Sequence, residues 1–491
     1  MPAWFSLNDL YYLLPELVLA SGVLALLVAT ALTPKRRQGW LSWLALGALA
    51  ASAAAVLAVA RPVPVDVARG LISVDAFAAF FKGIVLLAAA LTVLLSVRYL
   101  DTEGARHGSY MFLVLCATLG MMFMASGTDL VVIFVGLETM AIAFYILAGL
   151  LKPDRRSNEA AVKYFLLGAF SLGILLYGIS ILYGMSGTTN LRALAEAVAA
   201  RGRDPWLMLA LILVAAGIGF KIAAVPFHMW APDVYEGAPT PITAFLSVGS
   251  KAASFAMLLR IFLEGLPSLS GDWTILFYVL AVVTMTVGNI AALTQSNTKR
   301  MLAYSSIAHA GYLLIGVIAG TTRGVTAMLI YFVIYAFMQM GAFAVVVLLR
   351  RADVIGDELK DLGGLLARQP FAAVAMLVFM LSLGGIPPTA GFMGKFWLFS
   401  AAIDANYVWL AVIGVLNSAV SLYYYLRVVV FMFMKHEAAG SQPALSPALT
   451  TALVVTLAGT LVLGVYPRPL FELAELSARA LGVVGVSATV F

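Results

Sequence analysis

The sequence predicts an all-α polytopic membrane protein with about 14 transmembrane helices. Of its 491 residues, 63% are hydrophobic and 11% are charged, whereas a soluble domain is roughly 45–50% apolar and about 25% charged. Apolar runs of about 20 residues, the length needed to cross a hydrocarbon core of about 30 Å, recur along the chain. The basic residues between these runs are distributed unevenly, which is typical of membrane proteins with a fixed orientation.

The expected spans follow one another with short connections. Each is a window of about 20 predominantly apolar residues. In chain order they are expected at 11–33, 40–60, 73–97, 109–126, 129–151, 160–184, 206–230, 241–263, 273–294, 300–320, 324–349, 371–402, 406–434 and 447–466. No basic segment or small-residue cleavage site accompanies the first run, so it is interpreted as a helix and not as a cleaved signal.

Lysine and arginine residues outside the spans predict the orientation. If Lys35, Arg36 and Arg37 lie inside and every span alternates, 17 of the 30 Lys and Arg residues fall inside and nine fall outside. The remaining four are lysines within spans. Because inside segments are enriched in positive charge, both termini are expected outside.

Two proline breaks indicate an internal repeat. Pro226 interrupts the seventh span, five residues after Lys221, and Pro387 interrupts the twelfth, 161 residues after Pro226. Helices four to eight and nine to thirteen then form two five-helix units of opposite orientation, as in many transporters. The expected units are three N-terminal helices in 1–107, the two inverted five-helix repeats in 108–268 and 269–438, and helix 14 with the C-terminal tail in 439–491.

Four charged residues lie within long apolar runs of these spans, namely Glu138, Lys221, Lys251 and Lys395. A charge at the centre of a spanning helix costs roughly 2.5–3.5 kcal/mol. The first three lie about ten residues from a span end, which is about 15 Å at 1.5 Å per residue and therefore near mid-membrane. Lys395 follows the break in its helix, toward the outer side. A lateral row of charges at this depth predicts a path for protons or ions.

Buried lysines suit proton transfer because desolvation and nearby carboxylates change their protonation state. We expect Glu138 to pair with Lys221, so that a charge moved near the pair switches the next lysine. The proline breaks also free backbone carbonyls, since Pro387 cannot donate to the Leu383 carbonyl. Broken helices of this kind tend to line hydrated cavities.

Two histidines complete the candidate proton-transfer residues. His228 follows Lys221 by seven residues toward the inner side, and His309 lies in the tenth span near mid-membrane. Packing in the core is the open alternative for both histidines, and a structural salt bridge or a snorkelling side chain is the alternative for the lysines. Lys82, with Asp75 seven residues earlier on the same helical face, is equally well explained as half of a supporting pair at a span end.

Several other classes of site are excluded or lack support. Cys116 is the only cysteine, which excludes disulfides, iron–sulfur clusters and thiolate metal sites within this chain. The histidines His107, His228, His309 and His436 show no metal-ligand spacing. No glycine-rich phosphate loop is present, and the net charge of +6 is scattered over short loops, so nucleotide and nucleic-acid binding have no support.

Three long motifs resemble those of a known family. They are KIAAVPFHMWAPDVYEGAPTPITAFLS at 221–247, SNTKRMLAYSSIAHAGY at 296–312 and SLGGIPPTAGFMGKF at 382–396. Together they resemble the antiporter-like subunits of respiratory complex I (NADH:quinone oxidoreductase), and the stretch 233–239 is most similar to subunit N, the counterpart of mitochondrial subunit 2. The resemblance covers essentially the whole chain.

The resemblance implies fourteen helices, two inverted repeats and broken helices 7 and 12. It maps the family's key residues onto Glu138, Lys221, Lys251 and Lys395, and a lysine at the last position favours subunit N over subunit M. It also implies a location in the cell inner membrane with periplasmic termini, and partners among the other membrane and peripheral subunits of complex I, with no nucleic acid. No cofactor is expected in this chain, because NADH, FMN, the iron–sulfur clusters and quinone belong to other subunits of the family's complexes.

The expected function is proton translocation by a subunit of NADH:quinone oxidoreductase, with the redox chemistry outside this chain. Lys251 is expected to be the central relay, loaded from the cytoplasm, with His228 as a candidate uptake point. The Glu138–Lys221 pair is expected to modulate it. Lys395 would face the other half-channel. The alternatives are an Mrp-type or free-standing cation/proton antiporter subunit, and a membrane scaffold whose buried charges are inert.

Overall fold

The computed structural model describes residues 7–61, 63–350, 356–435 and 445–482. Nearly all of these residues are helical. His436 and both chain ends, whose side of the membrane is predicted above, lie outside the described residues.

The first part of the chain contains helices and one short hairpin. They are α1 (Leu7–Tyr12), α2 (Leu14–Leu32), α3 (Leu41–Val59), β1 (Val65–Val67), β2 (Ile72–Val74), α4 (Ala76–Glu103), α5 (His107–Ser126), α6 (Leu130–Ala148), α7 (Arg155–Ser186), α8 (Leu191–Arg201), α9 (Pro205–Lys221), α10 (Trp230–Gly237), α11 (Thr240–Phe245) and α12 (Lys251–Leu259). The strands pair antiparallel, with Asp66 opposite Ser73. The α11 and α12 helices form one continuous helix, because π-helical turns at Leu246–Ser250 and Arg260–Gly265 join and extend them.

The regular elements of the second part of the chain are all helices where it is described. Its helices are α13 (Ser270–Leu293), α14 (Thr298–Ile318), α15 (Thr322–Leu349), α16 (Leu365–Arg368), α17 (Pro370–Gly384), α18 (Ala390–Asp404), α19 (Val408–Met434), α20 (Pro447–Val465) and α21 (Arg468–Ala480). Short 3-10 turns occur across the whole chain, at Lys35–Trp40, Ala68–Gly70, Pro267–Leu269 and Leu359–Leu362.

Polar side chains fix where many of the helices begin. In each case the side-chain oxygen accepts a hydrogen bond from a backbone N–H of the first turn, and such residues are Asp75, Asp129, Asp154, Asn190, Asp204, Asn297, Thr321 and Ser446. These bonds satisfy N–H groups that a helix start leaves unpaired. The boundaries of the spans therefore follow from local sequence.

Twelve helical segments of the described residues are long and apolar enough to cross a membrane. The α9 and α17 helices are also apolar but shorter, and they coincide with the first halves of the seventh and twelfth predicted spans. The predicted fold class, with about 14 spans of which two are broken, is therefore confirmed. The division of the chain at 107, 268 and 438 stays a prediction.

The two helix breaks begin before their prolines. The α9 helix ends at Lys221, and Ala223 has a φ of 58°; α17 ends at Gly384, and Gly385 has a φ of 83°. A left-handed residue at this point turns the chain out of the helix. The expectation that the first break starts at Pro226 is therefore wrong, because Lys221 is itself the last residue of its helix.

Three helical segments form the centre of the bundle. Nearly every residue of α14, of α15 and of the continuous helix from Thr240 to Gly265 is buried. The peripheral helices α2 and α19 instead present many exposed apolar side chains. Residues carried by the central segments are thus surrounded by protein and not by lipid.

The two ends of the bundle differ. We call the end with the 3-10 turn at Lys35–Trp40 and the start of α14 the inner end, and the end with β1, β2, α8 and α21 the outer end. The α21 helix packs against α4 and α15, and the Ser477 hydroxyl donates a hydrogen bond to the Ala76 carbonyl (3.1 Å). The outer end is therefore covered partly by an amphipathic helix.

The second break depends on a close backbone approach at Gly391. A Cβ atom at this position would lie 1.7 Å from the Ser382 carbonyl oxygen. We expect Gly391→Ala to push α18 away from α17 and to destabilise the fold by about 1–3 kcal/mol, as other overpacking changes do. Thermal unfolding of the purified complex measures this loss.

Gly83→Ala is the matched control for Gly391→Ala. Gly83 lies within α4, and a Cβ atom there would have no neighbour within 4 Å. Alanine is the better helix former, so this variant should be at least as stable as the native protein. If Gly391→Ala unfolds at the native temperature, the close approach is not required.

Candidate functional site

Lys251 lies at the centre of the bundle without a carboxylate partner. Its ammonium group donates hydrogen bonds to the Ser306 carbonyl and to the Ser306 hydroxyl, the latter at 2.5 Å. The Tyr335 hydroxyl donates to the same Ser306 oxygen (2.8 Å). Lys251 is 2% exposed, and no salt bridge to it is found among the described residues. The side chain is thus held by neutral oxygen atoms alone.

Local helix geometry singles out the position of Lys251. A π-helical turn, Leu246–Ser250, ends immediately before it, and a second begins at Arg260. Single π-helical turns are rare and frequently occur at functional sites. The sequence patterns used above do not predict these turns.

His309, on α14, is hydrogen-bonded to side chains of α15 and α19. Its Nδ1 atom is hydrogen-bonded to the Tyr331 hydroxyl (2.6 Å) and its Nε2 atom to the Tyr425 hydroxyl (3.1 Å). Tyr425 also shares a hydrogen bond with Ser305. A neutral imidazole has one donor and one acceptor nitrogen, and a hydroxyl can play either role. The ring can therefore take up a proton on one side and release one on the other.

Lys395 is bound by the backbone of the second helix break. Its ammonium group donates to the carbonyls of Leu383 (2.9 Å) and Gly384 (3.2 Å) and to the Ser418 hydroxyl (2.8 Å). The ammonium nitrogen also lies 5.0 Å from the centre of the Tyr312 ring. The carbonyl that Pro387 cannot satisfy thus finds its partner in the lysine of the same broken span.

His309 lies on α14 between the residues that the two lysines contact. Lys251 binds Ser306, three residues before His309, and Lys395 lies over the ring of Tyr312, three residues after it. Ser305 and Ser306 are consecutive residues of α14, so the contacts of Lys251 and those of Tyr425 meet on one turn of that helix. Lys251, His309 and Lys395 therefore belong to one buried polar region.

Glu138 and Lys221 are not in direct contact. They influence each other electrostatically, but the described residues show no ion pair between them. Lys221 instead approaches the Tyr145 hydroxyl (3.4 Å). The expected Glu138–Lys221 pair is thus indirect, because Lys221 contacts α6 at Tyr145, seven residues along that helix from Glu138.

His228 lies apart from this region. It occupies the break between α9 and α10, where it is partly exposed, and its Nδ1 atom has no hydrogen-bond partner among the described residues. No side-chain contact of the described residues links it to Lys221 or Lys251. Its role as a proton uptake point stays a prediction.

Sequence reasoning missed the polar stripe of α15. Tyr331, Tyr335 and Gln339 are spaced four residues apart, which places them on one face of the helix. Gln339 is fully buried, and neither its amide oxygen nor its amide nitrogen has a partner among the described residues. Polar residues at helical spacing within an apolar span are the sequence signal that could have found this stripe.

Near the outer end, Lys82 and Asp75 belong to two separate buried ion pairs and do not form the expected pair with each other. Lys82 pairs with Glu16 (2.5 Å) and not with Asp75. Asp75 accepts two hydrogen bonds from Arg260, which also pairs with Glu264 (2.6 Å). Arg260, one of the nine basic residues counted outside in the predicted orientation, is 1% exposed. Its charge is retained inside the protein because two carboxylates surround it.

Ion pairs also line the inner end. Asp233 bridges Lys163 (2.6 Å) and Arg300 (2.7 Å), beside a cavity of about 210 Å³. Lys299 lies 3.7 Å from Asp357. Burial raises the pKa of Asp357, and the Lys299 charge opposes this rise. Charged groups thus reach inward from this end on several helices.

Comparison with known proteins places the chain in a family. The family described as "NADH:quinone oxidoreductase/Mrp antiporter, TM" matches residues 127–421. NADH-quinone oxidoreductase subunit N from Trichlorobacter lovleyi is 48% identical over 96% of this chain and 97% of its own length. Subunit N 2 from Solibacter usitatus is 46% identical over 96% of this chain and 98% of its own length. The chain belongs to the subunit N family of NADH-quinone oxidoreductase.

Solved structures agree with this membership. A chain of respiratory complex I from Thermus thermophilus with bound aureothin is 35% identical, with a TM-score of 0.80, and covers 94% of this chain and 99% of that one. A chain of the Mrp complex from Dietzia sp. DQ12-45-1b has a TM-score of 0.84 over 97% of this chain and 98% of that one, but is only 24% identical. The second likeness shows the fold alone. Membership in the subunit N family confirms the resemblance found in the motifs, and the roles of the individual site residues stay predictions.

The Glu16–Lys82 pair generates a stability prediction. We expect Glu16→Gln to destabilise the protein by about 3–5 kcal/mol, because it leaves a buried lysine without its carboxylate. The double variant Glu16→Gln/Lys82→Met should recover most of this loss, since no unpaired charge remains. Thermal unfolding of the purified complex compares the variants.

The control for this pair is Glu475→Gln, which removes an exposed i,i+4 partner of Arg479. Exposed pairs of this kind contribute roughly 0.3–0.5 kcal/mol, so little change is expected. A double variant no more stable than Glu16→Gln alone would contradict the assignment of Glu16 and Lys82 as a structural pair.

Proposed function

We propose that the chain translocates protons as a membrane subunit of NADH:quinone oxidoreductase. The observation that carries this proposal is the buried polar region that extends from Lys251 to Lys395 through His309. Its cations have only neutral oxygen partners, so each can lose its proton without stranding a bound carboxylate. NADH, flavin, iron–sulfur clusters and quinone would be held by other subunits.

The first step is protonation of Lys251 from the inner end. Ser306 binds the ammonium group, and Tyr335 donates a hydrogen bond to Ser306. Gln339 continues the polar stripe of α15 by one turn toward the inner end. Groups with a hydroxyl or amide can bridge to water and pass protons along. In our proposal, protons reach Lys251 through these polar groups on its inner side.

The second step is lateral transfer toward Lys395. Tyr425 and Tyr331 bind opposite nitrogen atoms of His309, so a proton taken from one hydroxyl can leave toward the other. Lys395 receives it at the second helix break, where backbone carbonyls hold the ammonium group. The repulsion between Lys251 and Lys395 when both are charged disfavours double occupancy and drives release.

Glu138 supports assembly with a further membrane subunit. It is only partly buried, and it lies in a stripe of half-exposed apolar residues on α6, Val131, Val135, Ile142 and Ile146. A carboxylate facing lipid at mid-membrane is unfavourable. In our proposal a neighbouring membrane subunit covers this stripe, and charge changes at that interface reach Lys221 through Glu138.

Membership in the subunit N family and the uneven distribution of Lys and Arg residues support one orientation of the chain in the membrane. We place the inner end in the cytoplasm and both termini in the periplasm, in the cell inner membrane. The alternative of an Mrp-type cation/proton antiporter subunit rests on a family description that covers both kinds of protein and on a likeness below 25% identity. Sodium exchange by this chain without NADH oxidation would favour that alternative.

Lys251→Ala tests the proposed function. We expect the assembled complex to lose most redox-driven proton pumping, because no other group of this region can take up the proton at that position. Proton uptake into inverted vesicles and NADH:quinone electron transfer should be measured on the same sample.

Lys152→Ala is the matched control, since Lys152 is exposed in the connection between α6 and α7. Pumping and electron transfer should both stay at native levels. Native pumping per electron in Lys251→Ala would overturn the relay assignment.

Thiol labelling tests the orientation. In a Cys116→Ser background, a membrane-impermeant maleimide should modify Arg201→Cys in intact spheroplasts and Lys152→Cys only after permeabilisation. Both positions are exposed, and they lie at opposite ends of the bundle. The reverse pattern would invert the assignment of inner and outer ends.

A further inference from the structure

A column of phenylalanine rings lies on the outer side of Lys251. Phe255 follows Lys251 by one helical turn, and its ring centre is 5.2 Å from that of Phe332. The Phe332 ring lies 5.9 Å from Phe81, and the Phe81 ring lies 4.9 Å from Phe77. All four rings are fully buried. They come from three different helices, so the column crosses the core between them.

The outer end of this column meets charged groups. The Arg260 guanidinium lies 4.8 Å from the centre of the Phe77 ring. Arg260 and its partners Asp75 and Glu264 line an outer cavity of about 520 Å³. The outer cavity thus reaches Arg260, and the Arg260 guanidinium lies against Phe77, the last ring of the column.

Lys251 and Arg260 are close in sequence and share one helix. Nine residues of helix correspond to about 13.5 Å, and π-helical turns border this stretch on both sides. No polar side chain joins the two groups by a hydrogen bond among the described residues. The rings therefore separate a mid-membrane lysine from a cavity that opens at the outer end.

The inner side of Lys251 has the opposite character. Ser306, Tyr335 and Gln339 present hydroxyl and amide groups there, and the amide of Gln339 is unpartnered among the described residues. A buried amide of this kind favours hydration. The four rings pack edge to face, have no comparable groups and exclude water. The surroundings of Lys251 are thus polar toward one end and apolar toward the other.

We propose that Phe77, Phe81, Phe332 and Phe255 form a seal that prevents Lys251 from exchanging protons with the outer cavity. The seal rests on the proposed function, since it gives the proton on Lys251 a single way onward, through His309 to Lys395. Without it, the outer cavity and the inner polar stripe would together form a continuous leak through Lys251. Ordinary core packing would fill the same space but would not affect proton permeability.

Phe332→Ser in the assembled complex tests the seal. Proteoliposomes containing the complex are given a pH gradient with valinomycin and potassium, without NADH, and its decay is followed. We expect the passive proton permeability to rise several-fold, because a hydroxyl and a void replace the central ring. Phe332→Leu keeps an apolar side chain and should remain as tight as the native complex.

The double variant Phe332→Ser/Lys251→Ala identifies the path of the leak. We expect it to be tight, since the protonatable group has been removed. A leak of equal size in the double variant would overturn the proposal, and so would a tight Phe332→Ser complex. If Phe332→Ser lowers assembly, Phe255→Ala carries the same test from a different helix. Failure of the proposed function would be a different result, in which the Lys251→Ala complex pumps protons at the native level during NADH oxidation.

Discussion

The free energy of a buried cation in a low-dielectric interior determines how this bundle is organised. Its buried cations fall into two classes according to their partners. Lys82 and Arg260 have carboxylates within ion-pair distance and lie near the outer end. Lys251 and Lys395 have hydroxyls and backbone carbonyls instead. A paired cation is fixed in its charged state, whereas a cation with neutral partners can exist in either state. The first class stabilises the fold, and the second class is suited to carry protons.

The second helix break stabilises one member of the second class, Lys395, in the interior. Carbonyls within an intact helix are largely used by its own hydrogen bonds, whereas a break frees carbonyls to bind an ammonium group. At the second break the chain turns at Gly385, and the carbonyls of Leu383 and Gly384 point toward Lys395. At the first break the Phe220 carbonyl is taken by the Trp230 indole N–H (2.9 Å). The two breaks therefore have related geometry but different chemistry, since only the second binds its lysine through the backbone.

Local signals in the sequence predict much of this structure. Apolar windows, capping residues and prolines act within a few residues of their own positions, so the spans and the broken helices follow from them. Side-chain pairs between different helices do not follow from such local signals. His309 and Tyr425 are separated by 116 residues, and Glu16 and Lys82 belong to different helices. A one-dimensional pattern carries no record of which residues of two helices meet, so it predicts contact between Glu138 and Lys221, whereas Lys221 contacts Tyr145 on the same helix.

An indirect Glu138–Lys221 arrangement is still sufficient for coupling. Two unit charges about 10 Å apart interact by about 1.7 kcal/mol at an effective dielectric constant of 20, which exceeds the roughly 1.4 kcal/mol of a tenfold change in an equilibrium constant. A charge that moves at the exposed edge of α6 can thus bias protonation of Lys221 without contact. The same reasoning applies between Lys251, His309 and Lys395, where two like charges act on one imidazole. Because each step needs only a change of neighbouring charge, the row can respond to events outside this chain while its helices stay packed.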